Sequence, residues 1–104
     1  MNPDGYKFSF ESDRLWRKTR SYHGSPFGCR GVDANRNFGF GFGGPGSSND
    51  PCSQTYRGPE AYSEPECDAV KNYIEAKPEV NWQAFVTTHS YSQVRIYASY
   101  RLRC

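Results

Sequence analysis

Between Ser21 and Ser53 the chain is dominated by Gly, Ser, Asn, Asp and Pro, and Val32 is the one aliphatic side chain there larger than alanine. No regular element can be built from such a run, so about a third of the molecule must be irregular. A connection of that length is usually functional or disordered. The rest of the chain does little to compensate. Leu, Ile and Val number nine, and adding the seven Phe gives sixteen of 104 residues, below the roughly 20% that marks a chain short of core material. The net charge of +2 removes the high-charge half of the disorder signature. The length fits one small domain, which buries only about 60–65% of its unfolded surface. The chain reads as underfilled, like a piece of a larger fold.

Around the irregular stretch a few elements are legible. Tyr6, Phe8 and Phe10 alternate with Lys7, Ser9 and Glu11, a period of two that predicts a strand or extended arm. Ser63-Glu64-Pro65-Glu66 carries a helix-start pattern, with Ser63 as cap, Glu66 three residues on as in a capping box, and Pro65 in the first turn. Cys67, Val70 and Ile74 then share one helical face, and Pro78 ends the run. The predicted helix is 64–76. Ala84-Phe85-Val86-Thr87-Thr88 predicts a buried strand that delivers His89 at its end, and 94–97 a second short strand.

Composition also excludes classes. No apolar run approaches the ~20 residues needed to span a bilayer, and Met1-Asn2-Pro3-Asp4-Gly5 has neither half of a signal peptide. Charge is segregated along the chain: residues 1–36 carry net +3, 37–80 net −4 and 81–104 net +3. None of these runs is dense enough to argue for nucleic acid. Cys29, Cys52, Cys67 and Cys104 allow at most two bridges and contain no CxxC, so a zinc finger is a poor reading. Bridges would imply an oxidising compartment. With no signal in the sequence, that suggests Met1 is not the start of the parent protein.

Several side chains suit chemistry. His89, followed by Ser90 and Tyr91, could ligate a metal through one ring nitrogen while a neighbour holds the other; local pattern alone favours a satisfied structural histidine. His23 reads as a solvated loop residue. Arg14, Arg17, Arg20 and Arg36 offer guanidinium forks suited to a carboxylate, with Asn35 as a further amide donor, or else form a solvated basic face. Asp33 could be a turn former. The tract Asn37 to Gly46 interleaves five glycines with Phe38, Phe40 and Phe42. An RNA-binding reading is weakened there by the lack of a basic residue.

Taken together, Asn2-Pro3-Asp4-Gly5-Tyr6, Arg14-Leu15-Trp16-Arg17-Lys18-Thr19-Arg20, Gly31-Val32-Asp33-Ala34-Asn35-Arg36-Asn37-Phe38, Tyr56-Arg57-Gly58-Pro59 and His89-Ser90-Tyr91-Ser92-Gln93 resemble the zinc metallocarboxypeptidases of the carboxypeptidase A/B type. The resemblance runs from the start to about residue 97 and covers the middle part of a family catalytic domain. It implies an α/β fold with a mixed β-sheet flanked by helices. Residues 1–104 would be a partial peptidase domain with a divergent tail over 98–104.

By position, the resemblance implies that His89 is the third zinc ligand, and that Asn35 and Arg36 grip the free C-terminal carboxylate of the substrate. Arg17 becomes the group that polarises the scissile carbonyl and stabilises the oxyanion. Arg14 lies further along the groove, and Ser90 and Tyr91 line neighbouring subsites. Asp33 becomes the carboxylate that orients a zinc-bound histidine. Cys29 and Cys52 match the family's common disulfide. The partners implied are peptide and protein C-termini, met by a secreted monomer without nucleic acid or membrane. The HxxE pair that supplies the other zinc ligands, the general-base glutamate and the capping tyrosine have no counterpart here. One of three zinc ligands is present, so this chain alone is not expected to hydrolyse peptides. The alternatives are a non-catalytic binder of C-terminal carboxylates and a truncated gene-model product.

Overall fold

A computed structural model describes residues 2–88 and 95–98. The first element is α1, Pro3–Glu11, where the alternation of aromatics predicted a strand or arm. Capping decides the outcome. The Asn2 side chain accepts the Gly5 N–H at 3.0 Å, and Pro3 occupies the first turn, where no N–H is needed. The aromatic alternation is then wrapped onto different faces. Tyr6 and Phe10, one turn apart, are both 67% exposed, while Phe8 meets Trp16 edge-on at 5.0 Å. Gly5 and Ser9 form the buried side of α1. Asn2 Nδ2 also donates to the Lys18 carbonyl at 2.9 Å, which ties the helix start to the segment that follows. The Arg20 guanidinium stacks 3.7 Å from the Phe8 ring centroid and 4.5 Å from that of Trp16.

The irregular stretch is ordered by polar fasteners rather than by apolar packing. Cys29 and Cys52 are bridged, with Cα atoms 5.1 Å apart, as the resemblance implied. The Lys18 ammonium donates to the carbonyls of Pro51 at 2.8 Å and Ser53 at 3.1 Å. Thr19 N–H donates to the Val32 carbonyl at 2.9 Å, and Gly31 N–H to that of Ser21 at 2.8 Å. Gly31 has φ +82°, and a Cβ there would lie 1.9 Å from the Thr19 carbonyl oxygen, so only glycine fits. Among the described residues Val32, Tyr56 and Cys67 are the buried apolar side chains, whereas Lys18, Thr19, Asp33, Asn37 and Glu64 are buried polar ones. A single 3-10 turn, Ala34–Arg36, interrupts the stretch.

The second helix, α2, spans Pro65–Glu75, close to the predicted 64–76. Cys67 is its buried contact, with Val70 and Ile74 half-buried on the same side. Its start differs from the predicted capping box. Glu64 occupies the cap position with no side-chain cap bond, because its carboxylate is drawn into a hydroxyl cluster instead. Ser63 Oγ donates to Glu64 at 3.3 Å, and Glu66 Oε2 is buried without a partner among the described residues.

Two strands close the described chain, β1 (Phe85–Thr88) and β2 (Arg95–Ala98), each within a residue of its predicted start and end. They pair antiparallel with Phe85 opposite Ala98 and Thr88 opposite Arg95. The described residues thus hold a two-stranded antiparallel sheet and two helices, and the mixed sheet of the expected fold is not among them. Of the divergent tail, only Ala98 is described. No helix among the described residues is long and apolar enough to cross a membrane.

Candidate functional site

Asp33 organises the region where several of the singled-out residues meet. It is 2% exposed, its backbone N–H donates to the Tyr56 carbonyl at 2.8 Å and its carbonyl accepts the Arg36 N–H at 2.8 Å. Oδ1 accepts the Asn35 N–H at 3.1 Å, capping the 3-10 turn that carries Asn35 and Arg36. Its turn-forming role is therefore real. Oδ2 accepts from Arg17 Nη2 at 2.7 Å, so one residue holds Arg17 and Asn35 through its carboxylate and Arg36 through its backbone carbonyl.

The turn is held at its other end by Asn37, which is completely buried. Asn37 Nδ2 donates toward the carbonyls of Arg57 at 2.8 Å and Glu60 at 3.1 Å and toward Ser63 Oγ at 2.8 Å. From below, Cys67 Sγ donates to the Ala34 carbonyl at 3.5 Å. Burial first, then the nearby carboxylates, push the Cys67 thiol up to about 11, so it serves as an inert packing group. Arg36 Nε donates to the Gly46 carbonyl at 2.9 Å, linking the turn to the glycine-rich loop. Asn35, Arg36, Phe38, Phe42 and Ser47 help to line a small pocket of about 80 Å³. The phenylalanines of the tract thus line a pocket wall, Phe42 also facing the Arg57 guanidinium at 5.6 Å. Arg14 is exposed, its guanidinium 5.8 Å from the Phe10 ring centroid.

Behind this site lies a hub that sequence reading missed. Glu64 is completely buried. It accepts from Thr19 Oγ1 and from Ser21 Oγ at 2.7 Å, and its Oε1 lies 2.8 Å from His23 Nε2. Burial pushes the carboxyl up, but the hydrogen bonds from Thr19, Ser21 and His23 outweigh it and hold Glu64 below its usual range. His23 is therefore a half-buried partner of a buried anion, not the solvated loop residue expected. The ring fills the polar vacancy that Glu64 would otherwise leave. The available signal was Glu64 itself, a charged residue wedged between a cap-type serine and a proline.

His89, Ser90 and Tyr91 lie outside the described residues; β1 ends one position before His89. Among the described residues no group of three His, Cys, Asp or Glu could hold a metal ion. Asp33 and Glu64 are engaged by Arg17, by hydroxyls and by His23. These donors by themselves do not fit a zinc site, which takes at least three protein ligands.

Residues 1–101 match the family described as zinc carboxypeptidase. Mouse carboxypeptidase A2 is 48% identical over 103 residues, 99% of this chain and 24% of its own length. Carboxypeptidase B of the crayfish Astacus astacus is 48% identical over 97 residues, 93% of this chain and 32% of its own. Among solved structures, bovine thrombin-activatable fibrinolysis inhibitor in complex with tick carboxypeptidase inhibitor superposes with a TM-score of 0.79 at 40% identity, covering 88% of this chain and 30% of that one. The chain thus spans about a quarter to a third of the length of these relatives.

Proposed function

Because the chain belongs to the zinc carboxypeptidase family, we propose that the protein carrying it is a metallocarboxypeptidase that releases C-terminal amino acids from peptides. The observation that carries this reading is the convergence of Arg17 and the Asn35–Arg36 turn on Asp33. An exopeptidase needs one fixed cation for the terminal carboxylate and a second donor group near the scissile carbonyl. Arg36, with Asn35 beside it, supplies the first through a planar fork matched to a carboxylate. Arg17 supplies the second, where charge develops on the carbonyl oxygen. Arg14 extends the groove, and Ser90 and Tyr91 form its neighbouring walls.

Zinc is the metal the family implies, and His89 is the one ligand this chain contributes. In the intact domain the strand pair extends into a mixed sheet flanked by helices. The Cys29–Cys52 bridge suits a secreted monomer that meets peptide and protein C-termini outside the cell. The 104-residue chain by itself is not expected to hydrolyse peptides, since it has no HxxE pair; the second reading for it is a non-catalytic binder of C-terminal carboxylates.

Two measurements test the reading. In the full-length protein, Arg36→Gln raises KM for a peptide with a free C-terminus at least about tenfold, and unchanged peptidase activity would overturn the assignment. The isolated chain binds free-acid peptides and loses them on C-terminal amidation. Equal binding of acid and amide would remove the carboxylate site.

A further inference from the structure

Of the four arginines singled out in the sequence, Arg20 is the one that the carboxypeptidase reading leaves without a task. Its guanidinium lies 3.7 Å from the Phe8 ring centroid and 4.5 Å from that of Trp16. Arg30 lies 5.3 Å from the Tyr22 centroid. A ring face satisfies the flat side of a guanidinium and leaves the N–H donors around its edge unused. Among the described residues neither guanidinium pairs with a carboxylate. Both line a cavity of about 330 Å³, together with Lys18, Gln54 and the Cys29–Cys52 bridge, and none of its lining residues is acidic. Lys18 is 2% exposed and spends two of its three donors on the Pro51 and Ser53 carbonyls. Burial draws its pKa down; Asp50 and Asp33 oppose that, and the Arg20 charge adds to it. Arg20 and Lys18 therefore feel each other across the cavity. Like charges so placed repel, and an anion bound among them removes the repulsion while using the free guanidinium edges.

We propose that this cavity is a binding site for a tetrahedral oxyanion, a phosphate or sulfate group carried free or as a monoester. Two guanidinium forks beside an ammonium offer more donors than the two oxygens of a carboxylate can use, whereas a phosphate ester brings three acceptor oxygens and close to two charges. The volume lies at the small end for ligand pockets and admits the oxyanion with a small organic remainder. Its walls are fixed in advance, since Arg30 follows bridged Cys29 and Lys18 clamps both sides of Cys52, and a preformed site loses little on ordering. The cavity shares no residue with the smaller pocket lined by Asn35 and Arg36. The proposal thus goes beyond the peptidase reading and does not depend on it.

The test is calorimetric titration of the full-length protein with inorganic phosphate, glycerol 2-phosphate and acetate, at constant ionic strength set with sodium chloride. Phosphate is expected to bind at least about tenfold more tightly than acetate. Tighter binding of glycerol 2-phosphate identifies an ester as the ligand, and weaker binding identifies the free ion. Arg30 is exposed, so Arg30→Gln keeps the fold, and it is expected to weaken phosphate at least about tenfold. Arg20→Lys keeps a cation over the two rings, removes the fork and is expected to weaken phosphate as well. Arg36→Gln leaves phosphate affinity within about twofold. Loss of phosphate in Arg36→Gln with none in Arg30→Gln would put the anion in the carboxylate grip and overturn the proposal. Equal affinity for phosphate and acetate, or affinity unchanged in both Arg30→Gln and Arg20→Lys, would overturn it too. Peptidase activity is not read, so failure of the peptidase assignment leaves the outcome intact.

Discussion

Asn37 Oδ1 accepts the backbone N–H of Glu64 at 3.0 Å across 27 positions of sequence. The residue that follows the Asn35–Arg36 turn is thereby joined to the residue immediately before α2. Glu64 in turn receives Thr19, Ser21 and His23, so three separate stretches of chain meet in a polar knot. Buried groups in such a knot are costly when one partner is lost, because the others cannot reach water.

Asn37→Ala therefore strands the Glu64 N–H and the Arg57 carbonyl. The expected loss is about 2–3 kcal/mol, read as a lower urea midpoint with unchanged slope. A loss below about 0.5 kcal/mol, typical of a surface change, would show that these bonds are not what orders the turn.

Glu64 makes stability depend on acid. Its carboxyl loses its proton more readily in the folded chain than in the unfolded one, so ionisation favours folding. The contribution is complete above the ordinary value of 4.5 and disappears as pH falls through the lowered folded value. Urea midpoints between pH 7 and 3 should fall steeply in the acid range for the parent and less so for Glu64→Gln. Parallel curves would exclude Glu64 as the source.

For Gly5→Ala two effects oppose each other. Alanine gains about 1 kcal/mol in helix propensity. Yet its Cβ would lie 2.6 Å from the Lys18 carbonyl oxygen and 2.3 Å from Asn2 Nδ2. Displacing Asn2 forfeits a cap worth about 0.5–2 kcal/mol, and the clash with backbone adds to it. The variant is expected to melt below the parent, whereas a rise in melting temperature would mean α1 does not rest on that backbone.

Cys67 should be unreactive while the chain is folded, being 1% exposed with its thiol pushed up to about 11. In a Cys104→Ser background at pH 8, Ellman's reagent should label Cys67 only as urea unfolds the chain. Rapid labelling without denaturant would place α2 differently.

Local rules succeeded where the chain obeys them. Pro65 and the Cys67, Val70, Ile74 spacing marked α2, and the β-branched run at 86–88 marked β1 as a strand, though Val86 is 56% exposed where a buried strand was expected. They failed at α1, where aromatic alternation was read as a strand although Asn2-Pro3 already encoded a cap and first turn. The Asn35–Arg36 pair was visible through family resemblance, but its supports were not. Asn37, Glu64, Thr19 and Lys18 are ordinary surface-type residues in sequence, and their burial follows from partners 13 to 45 positions away. Only the fold brings those partners together.

The Lys18 ammonium, bonded to the carbonyls of Pro51 and Ser53, grips both sides of Cys52. Reduction of the bridge to Cys29 therefore leaves one of the two sulfurs clamped by a non-covalent fastener. When an external disulfide converts one opened thiol to a mixed disulfide, the other, held close by, displaces the foreign thiol and re-forms the native bond. The loop is in this sense self-repairing: its covalent link can be lost and regained without the path of the chain being lost.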